Sequence, residues 1–102
     1  MAKNYDIKLL VNDEEIDLTP FPAEFLTNVV IAAVSSLKDV DDIENLELYV
    51  DGGNTKIVVN NEIIPITAFP NDYVANTING LLSTLRGVDN IKTAKIDIKA
   101  VG

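Results

Sequence analysis

Residues 8–30 read KLLVNDEEIDLTPFPAEFLTNVV, and residues 56–78 read KIVVNNEIIPITAFPNDYVANTI. Laid over each other at a constant offset of 48, the two stretches match Lys8 with Lys56, Val11 with Val59, Asn12 with Asn60, Glu14 with Glu62, Ile16 with Ile64 and Thr19 with Thr67. Phe21-Pro22 then falls on Phe69-Pro70, and the match continues through Ser35 and Ser83, Leu37 and Leu85, Val40 and Val88, and Ile43 and Ile91. A repeat of this length is the first thing to settle, because it dictates the unit from which the fold is assembled. Residues 6–50 and 54–98 are therefore read as two copies of one ββαβ unit in a single domain spanning 1–102.

Each copy opens with two short β-rich runs around Asn12-Asp13 or Asn60-Asn61. Asn and Asp tolerate the positive φ angles of a two-residue type I′ hairpin turn. In that register Val11 opposes Glu14, Leu9 opposes Ile16 and Ile7 opposes Leu18. Side chains alternate with period two, so Ile7, Leu9, Val11, Ile16 and Leu18 share one face, and Ile57, Val59, Ile64 and Ile66 share its counterpart. A helix is expected from Pro22, and again from Pro70, since proline suits the first helical position. Phe25, Leu26, Val29, Val30, Ala33, Val34 and Leu37 keep the helical rhythm, as do Val74, Ile78, Leu81, Leu82 and Leu85. Lys38 and Arg86 suit the helix ends, and Gly87 suits a stop. A third strand follows, with Leu46, Leu48 and Val50 inward in one copy and Ala94, Ile96 and Ile98 in the other.

The expected fold is α+β: a sheet of about six mainly antiparallel strands, two helices packed on one face, and a pseudo-two-fold axis at the centre. A right-handed crossover would put each third strand parallel to the second, with the first strand between them. The short link Asp51-Gly52-Gly53-Asn54 leaves a rival layout open, in which it is a tight hairpin and the third strand of copy one pairs with the first strand of copy two. Charge favours contact between the two third strands. Residues 1–51 hold three cations against twelve acids, whereas residues 52–102 hold five against four. Glu44, Glu47 and Asp51 become Lys92, Lys95 and Lys99 at matched positions, so antiparallel pairing would set opposite charges across a seam, as fusion of an ancestral homodimer would allow.

Composition excludes several chemistries. At 102 residues the chain buries roughly two-thirds of its unfolded surface, enough for one core. It is 47% hydrophobic and 24% charged, an ordinary globular balance. Without cysteine there is no disulfide, thiolate nucleophile or cysteine-held metal, and without histidine the usual general base and transition-metal ligand are gone. The net charge of −8 opposes nucleic acid and anionic membrane as partners. No stretch reaches the roughly 18 apolar residues of a membrane span and the N-terminus does not read as a signal peptide, so a cytoplasmic location is expected.

No stretch supplies a nucleophile–base constellation. Ser35-Ser36-Leu37-Lys38 has a Ser-x-x-Lys spacing but closes a helix, where the catalytic motif of that spacing opens one. Asp13, Glu14 and Glu15 read as turn chemistry, Gly52-Gly53 as a turn, and Asn28 and Asn76 as residues flanking the core that would fix register if they met at the axis. Asp39, Asp41, Asp42 and Glu44 could offer oxygen ligands to calcium, yet the run lacks the spacing of an EF-hand and loses ligands in the second copy. The outer face of the sheet is less polar than a solvated face should be. Leu10, Tyr49, Val58 and Ile63 share it with lysines and carboxylates, which points to a protein partner or to self-association.

The pattern Val11-Asn12-x-x-x-Ile16-x-Leu18-x-x-Phe21, with Ser35-Ser36-Leu37-Lys38-x-Val40, resembles that of small uncharacterised archaeal proteins about one repeat long. The relatives would carry an Asn-Gly turn and a Ser-Leu-Lys-Gly-Val segment. Here Asp13 and Asn61 replace the turn glycine, and only Arg86-Gly87-Val88 keeps the second feature. The resemblance implies the fold of the unit and transfers no activity or cofactor. A non-catalytic interaction or assembly module is thus the leading expectation, and calcium binding through residues 39–44 the alternative.

Overall fold

A computed structural model describes residues 4–37, 42–65, 68–85, 88 and 90–101. Lys38, Asp39, Asp41, Ile66, Arg86 and Gly87 lie outside them. Their order is β1 (Asn4–Val11), β2 (Glu14–Ile16), α1 (Pro20–Leu37), β3 (Asn45–Asp51), β4 (Asn54–Val59), β5 (Glu62–Ile64), α2 (Ala68–Leu82) and β6 (Thr93–Val101).

The hairpins form where the Asn-rich turns dictate. Asn12 and Asp13 hold φ of 52° and 68°, and Asn60 and Asn61 hold 50° and 69°, the left-handed pair that a two-residue type I′ turn needs. Leu9 pairs with Ile16 across the first turn and Ile57 with Ile64 across the second. Both helices begin two residues earlier than the proline rule predicts, at Pro20 and Ala68. Thr19 accepts the first helical bond, from the Ala23 amide at 3.1 Å, so Pro20 takes the opening position and Pro22 sits inside the first turn, where amides lack helical partners anyway. At the far ends hydroxyls bond back to the preceding turn, Ser36 Oγ to the Ala32 carbonyl and Thr84 Oγ1 to the Leu81 carbonyl.

Among the described residues the sheet has six strands in the order β2-β1-β6-β3-β4-β5, antiparallel at every step. That order corrects the expected crossover. β3 runs opposite to β2, and the neighbour of β1 is β6, not β3. The reason lies in the link of two residues, Gly52 and Gly53. With Gly52 at φ 60°, it closes an Asp51–Asn54 pair and leaves β3 no place but beside β4. The slot between the parallel strands β1 and β3 is then filled by β6. Both layouts contemplated from sequence contribute to the outcome: the tight hairpin exists, and so does the central contact between the two third strands.

The seam charges need correction too. Directly across the β3–β6 seam, Glu47 faces Asp97, Tyr49 faces Lys95 and Asn45 faces Lys99. Lys95 and Lys99 are therefore diagonal neighbours of Glu47, at the longer spacing of such pairs.

One row of side chains crosses the whole sheet: Ile16, Leu9, Ile96, Leu48, Ile57 and Ile64. All but Ile16 are buried, and the helices cover them with Leu26, Val30 and Val34 from α1 and Val74, Ile78 and Leu82 from α2. Phe25 does not join this stripe and is 47% exposed, while Asn28 and Asn76 both face solvent and do not meet.

Two asparagines lock the interleaved strands. Asn12 Oδ1 accepts from the amides of Lys92 (2.8 Å) and Thr93 (3.0 Å), and its Nδ2 donates to the Asn90 carbonyl at 3.0 Å. Asn60 Oδ1 accepts from the amides of Glu44 (2.8 Å) and Asn45 (3.1 Å), and its Nδ2 donates to the Asp42 carbonyl at 2.8 Å. Each hairpin turn thus holds the loop that feeds the strand beside it. Asn71 performs a related task at the β4 edge, accepting from the Thr55 amide at 2.6 Å and donating to the Gly53 carbonyl at 2.6 Å.

Truncating the centre of the buried row, by Leu48→Ala or Ile96→Ala, should cost about 2–5 kcal/mol in urea unfolding. Asn12→Gly and Asn60→Gly keep the turn geometry but remove the side-chain bonds, and each should cost about 1–3 kcal/mol. Unchanged midpoints in the glycine variants would show that the turn conformation, and not the bonds, is what these asparagines supply.

Candidate functional site

The face of the sheet opposite the helices is built by the alternate residues of the same strands. One row runs Glu15, Leu10, Lys95, Tyr49 and Lys56, and the next runs Lys8, Asp97, Glu47, Val58 and Ile63. The four residues singled out from sequence on this face, Leu10, Tyr49, Val58 and Ile63, lie on it together. Leu10, Tyr49 and Val58 are half-buried by their neighbours, and Ile63 on edge strand β5 is 66% exposed.

Tyr49 organises the centre. Its ring lies between the ammonium groups of Lys95 and Lys56, 5.4 and 5.9 Å from the ring centroid, and its hydroxyl donates to Glu47 Oε2 at 3.1 Å. Each cation–π contact of this kind contributes about 0.5–1 kcal/mol at an exposed site. The lysines are drawn over the aromatic ring and their stems cover apolar surface. An open groove of about 470 Å³ runs past Leu10, Tyr49, Lys56 and Lys95. Lys8 reaches Glu15 at 3.5 Å, an exposed pair of small energetic weight. Asp97, set across from Glu47, keeps one oxygen, Oδ1, shielded from water and without a hydrogen-bond partner.

The residues proposed for calcium do not assemble into a site among those described. Asp39 and Asp41 lie outside them, and Asp42 and Glu44 are exposed. Among the described residues no group of three or more metal-ligating side chains comes together. The backbone of this segment has a structural task instead: the Asp42 carbonyl and the Glu44 amide hold Asn60, and the Glu44 carbonyl accepts from the Ala100 amide at 2.8 Å. None of the described helices is long and apolar enough to cross a membrane.

A second apolar surface escaped the sequence reading. Phe21 and Phe25, 75% and 47% exposed with ring centroids 5.8 Å apart, stand with Leu81 and Leu85 around an open groove of about 350 Å³ between the start of α1 and the end of α2. Helical periodicity assigns Phe25 to the core stripe. It lies outside because Leu26, Val30 and Val34 already fill the contact with the sheet, and the flanking position one residue earlier is turned towards solvent.

Because Ile63 is mostly exposed, Ile63→Ser should leave the free energy of unfolding within about 0.5 kcal/mol of the parent in urea titration; a loss several times larger would place Ile63 in the core. No family model matches the chain, and neither a curated protein nor a solved structure matches it.

Proposed function

We propose that the protein is a non-catalytic interaction or assembly module, formed by joining two ββαβ units about a pseudo-two-fold axis, and that the outer face of its sheet is the surface that meets another protein. The observation that carries this reading is the composition of that face. Leu10, Val58, Tyr49 and Ile63 lie on a broad sheet surface that none of the described elements covers, and contiguous apolar surface of this kind on a small acidic protein marks an interaction site.

The duplication is supported by the registers. Leu9 pairs with Ile16 and Ile57 with Ile64; Leu9 pairs with Ile96 and Ile57 with Leu48. Every pair in that set is carried into another by the offset of 48. The bonds of Asn12 to the 90–93 segment and of Asn60 to the 42–45 segment follow the same rule. In this reading each unit lends its third strand to the other, as protomers do in a strand-exchanged dimer, and the small archaeal proteins that the motifs resemble would correspond to one unit. Catalysis is not part of the proposal, since the site offers lysines, carboxylates and a tyrosine but no activated nucleophile.

A photo-crosslinking residue placed at position 63, on the outer face, and another at position 28, on the exposed side of α1, tests the proposal in living cells. The first should give a discrete adduct identifiable by mass spectrometry, and the second should not. Equal or absent crosslinking at both positions would sink it.

A further inference from the structure

The geometry points to a second copy of this chain as the occupant of the outer face, in a face-to-face dimer in which Lys95 of each copy meets Asp97 of the other. The inference rests on the reading of that face as an interaction surface and names its partner.

Charge selects the surface. The outer face carries the lysines Lys8, Lys56, Lys95 and Lys99, half of the chain's cations. Its carboxylates are Asp6, Glu15, Glu47, Asp51 and Asp97, so the face is close to neutral. Nearly all of the net charge of −8 therefore belongs to the helices, loops and hairpin ends. Two copies approaching through any other surface repel each other, whereas two outer faces approach without that cost.

Area permits it. The molecule measures 34 × 33 Å in the plane of its two longest axes and 18 Å in thickness. That plane is roughly 1,100 Å² per copy, against the roughly 800 Å² per partner that a stable interface of standard size buries.

Charge also selects the symmetry. In a two-fold dimer of stacked sheets, the axis lies in the interface and runs either along the strands or across them. An axis along the central strands would stack Asp97 of one copy on Glu47 of the other, because β6 and β3 exchange places. An axis across the strands, passing between the two side-chain rows, keeps each strand over its own equivalent and exchanges the rows. Lys95 then stands over the second copy's Asp97, and Tyr49 over the second copy's Glu47. At the edge the same operation sets Pro65 over Ile63. The like-charged Asp97–Glu47 neighbours, and the unpartnered Asp97 oxygen among them, gain a cation from across the interface.

Sedimentation equilibrium on the full chain, from micromolar concentration to about 1 mM, tests the inference. The expected mass at the upper end is about twice the 11.1 kDa of the chain, which in affinity terms corresponds to a dissociation constant below that concentration. Lys95→Asp and Asp97→Lys, each checked by circular dichroism to retain the fold, should weaken dimerisation by about tenfold or more, and the double exchange Lys95→Asp/Asp97→Lys should restore it. A parent chain that stays monomeric, or a dimer whose strength ignores the reversals or is not rescued by the double exchange, overturns this inference. The crosslinker at position 63 separates the two levels. A monomer that crosslinks there to a different protein defeats self-association and leaves the interaction surface standing, whereas a monomer with no adduct defeats both.

Discussion

The link between the two halves is too short for β3 to be anywhere but beside β4, and the rest of the arrangement follows from that restriction. Gly52 at positive φ and Gly53 reverse the chain within two residues, so Asp51 and Asn54 close a hairpin. Once β3 is committed to β4, the inner edge of β1 stands open, and β6 fills it while pairing with β3 on its other side. The two longest-range pairings in the molecule therefore sit at its centre, and the buried row through Ile96 and Leu48 holds them against the helices. Burial of a single such side chain is worth about 1.5–3 kcal/mol, and five of the six members of this row are buried.

Interleaving also decides what the loops must do. A strand that crosses to a distant neighbour needs its entry point anchored, and the hairpin turns supply the anchor through Asn12 and Asn60. A residue in a type I′ turn must tolerate positive φ, and asparagine does so while offering both a donor and an acceptor. One residue type thus meets two demands at one position, which aspartate, with no donor when ionised, would meet only in part. The acidic segment that leads into β3 takes its structural meaning from the same contacts, since its backbone, and not its carboxylates, receives Asn60.

The two faces of the sheet obey different rules. The inner face is an aliphatic layer under the helices, and the outer face mixes aliphatic residues with lysines and carboxylates gathered around Tyr49. Much of this candidate site was legible in advance: the alternation in the strands placed Leu10, Tyr49, Val58 and Ile63 together, because period-two geometry is local and survives any strand order. Which charges meet across the seam was not legible. A matched position in two strands does not specify register, and the observed register puts Glu47 opposite Asp97 and moves the lysines to diagonal positions. The exposed Phe21 and Phe25 escaped for a related reason, as periodicity reports an apolar face without saying how much of its width the sheet can cover.

What the sequence determined by itself is the set of local units: two Asn-turn hairpins, two amphipathic helices and two alternating third strands, each specified by residues within a few positions of one another. The helix starts were placed to within two residues, the turn conformations correctly. What only the tertiary structure decided is how those units interleave. A crossover rule drawn from ordinary ββαβ geometry puts the third strand beside its own hairpin, and nothing local contradicts it. The competing constraint, closure of a two-residue hairpin against β4, acts between halves of the chain, and the energy that settles the contest comes from packing one continuous layer beneath both helices. Strand order is a property of that shared layer, and no segment of the sequence carries it alone.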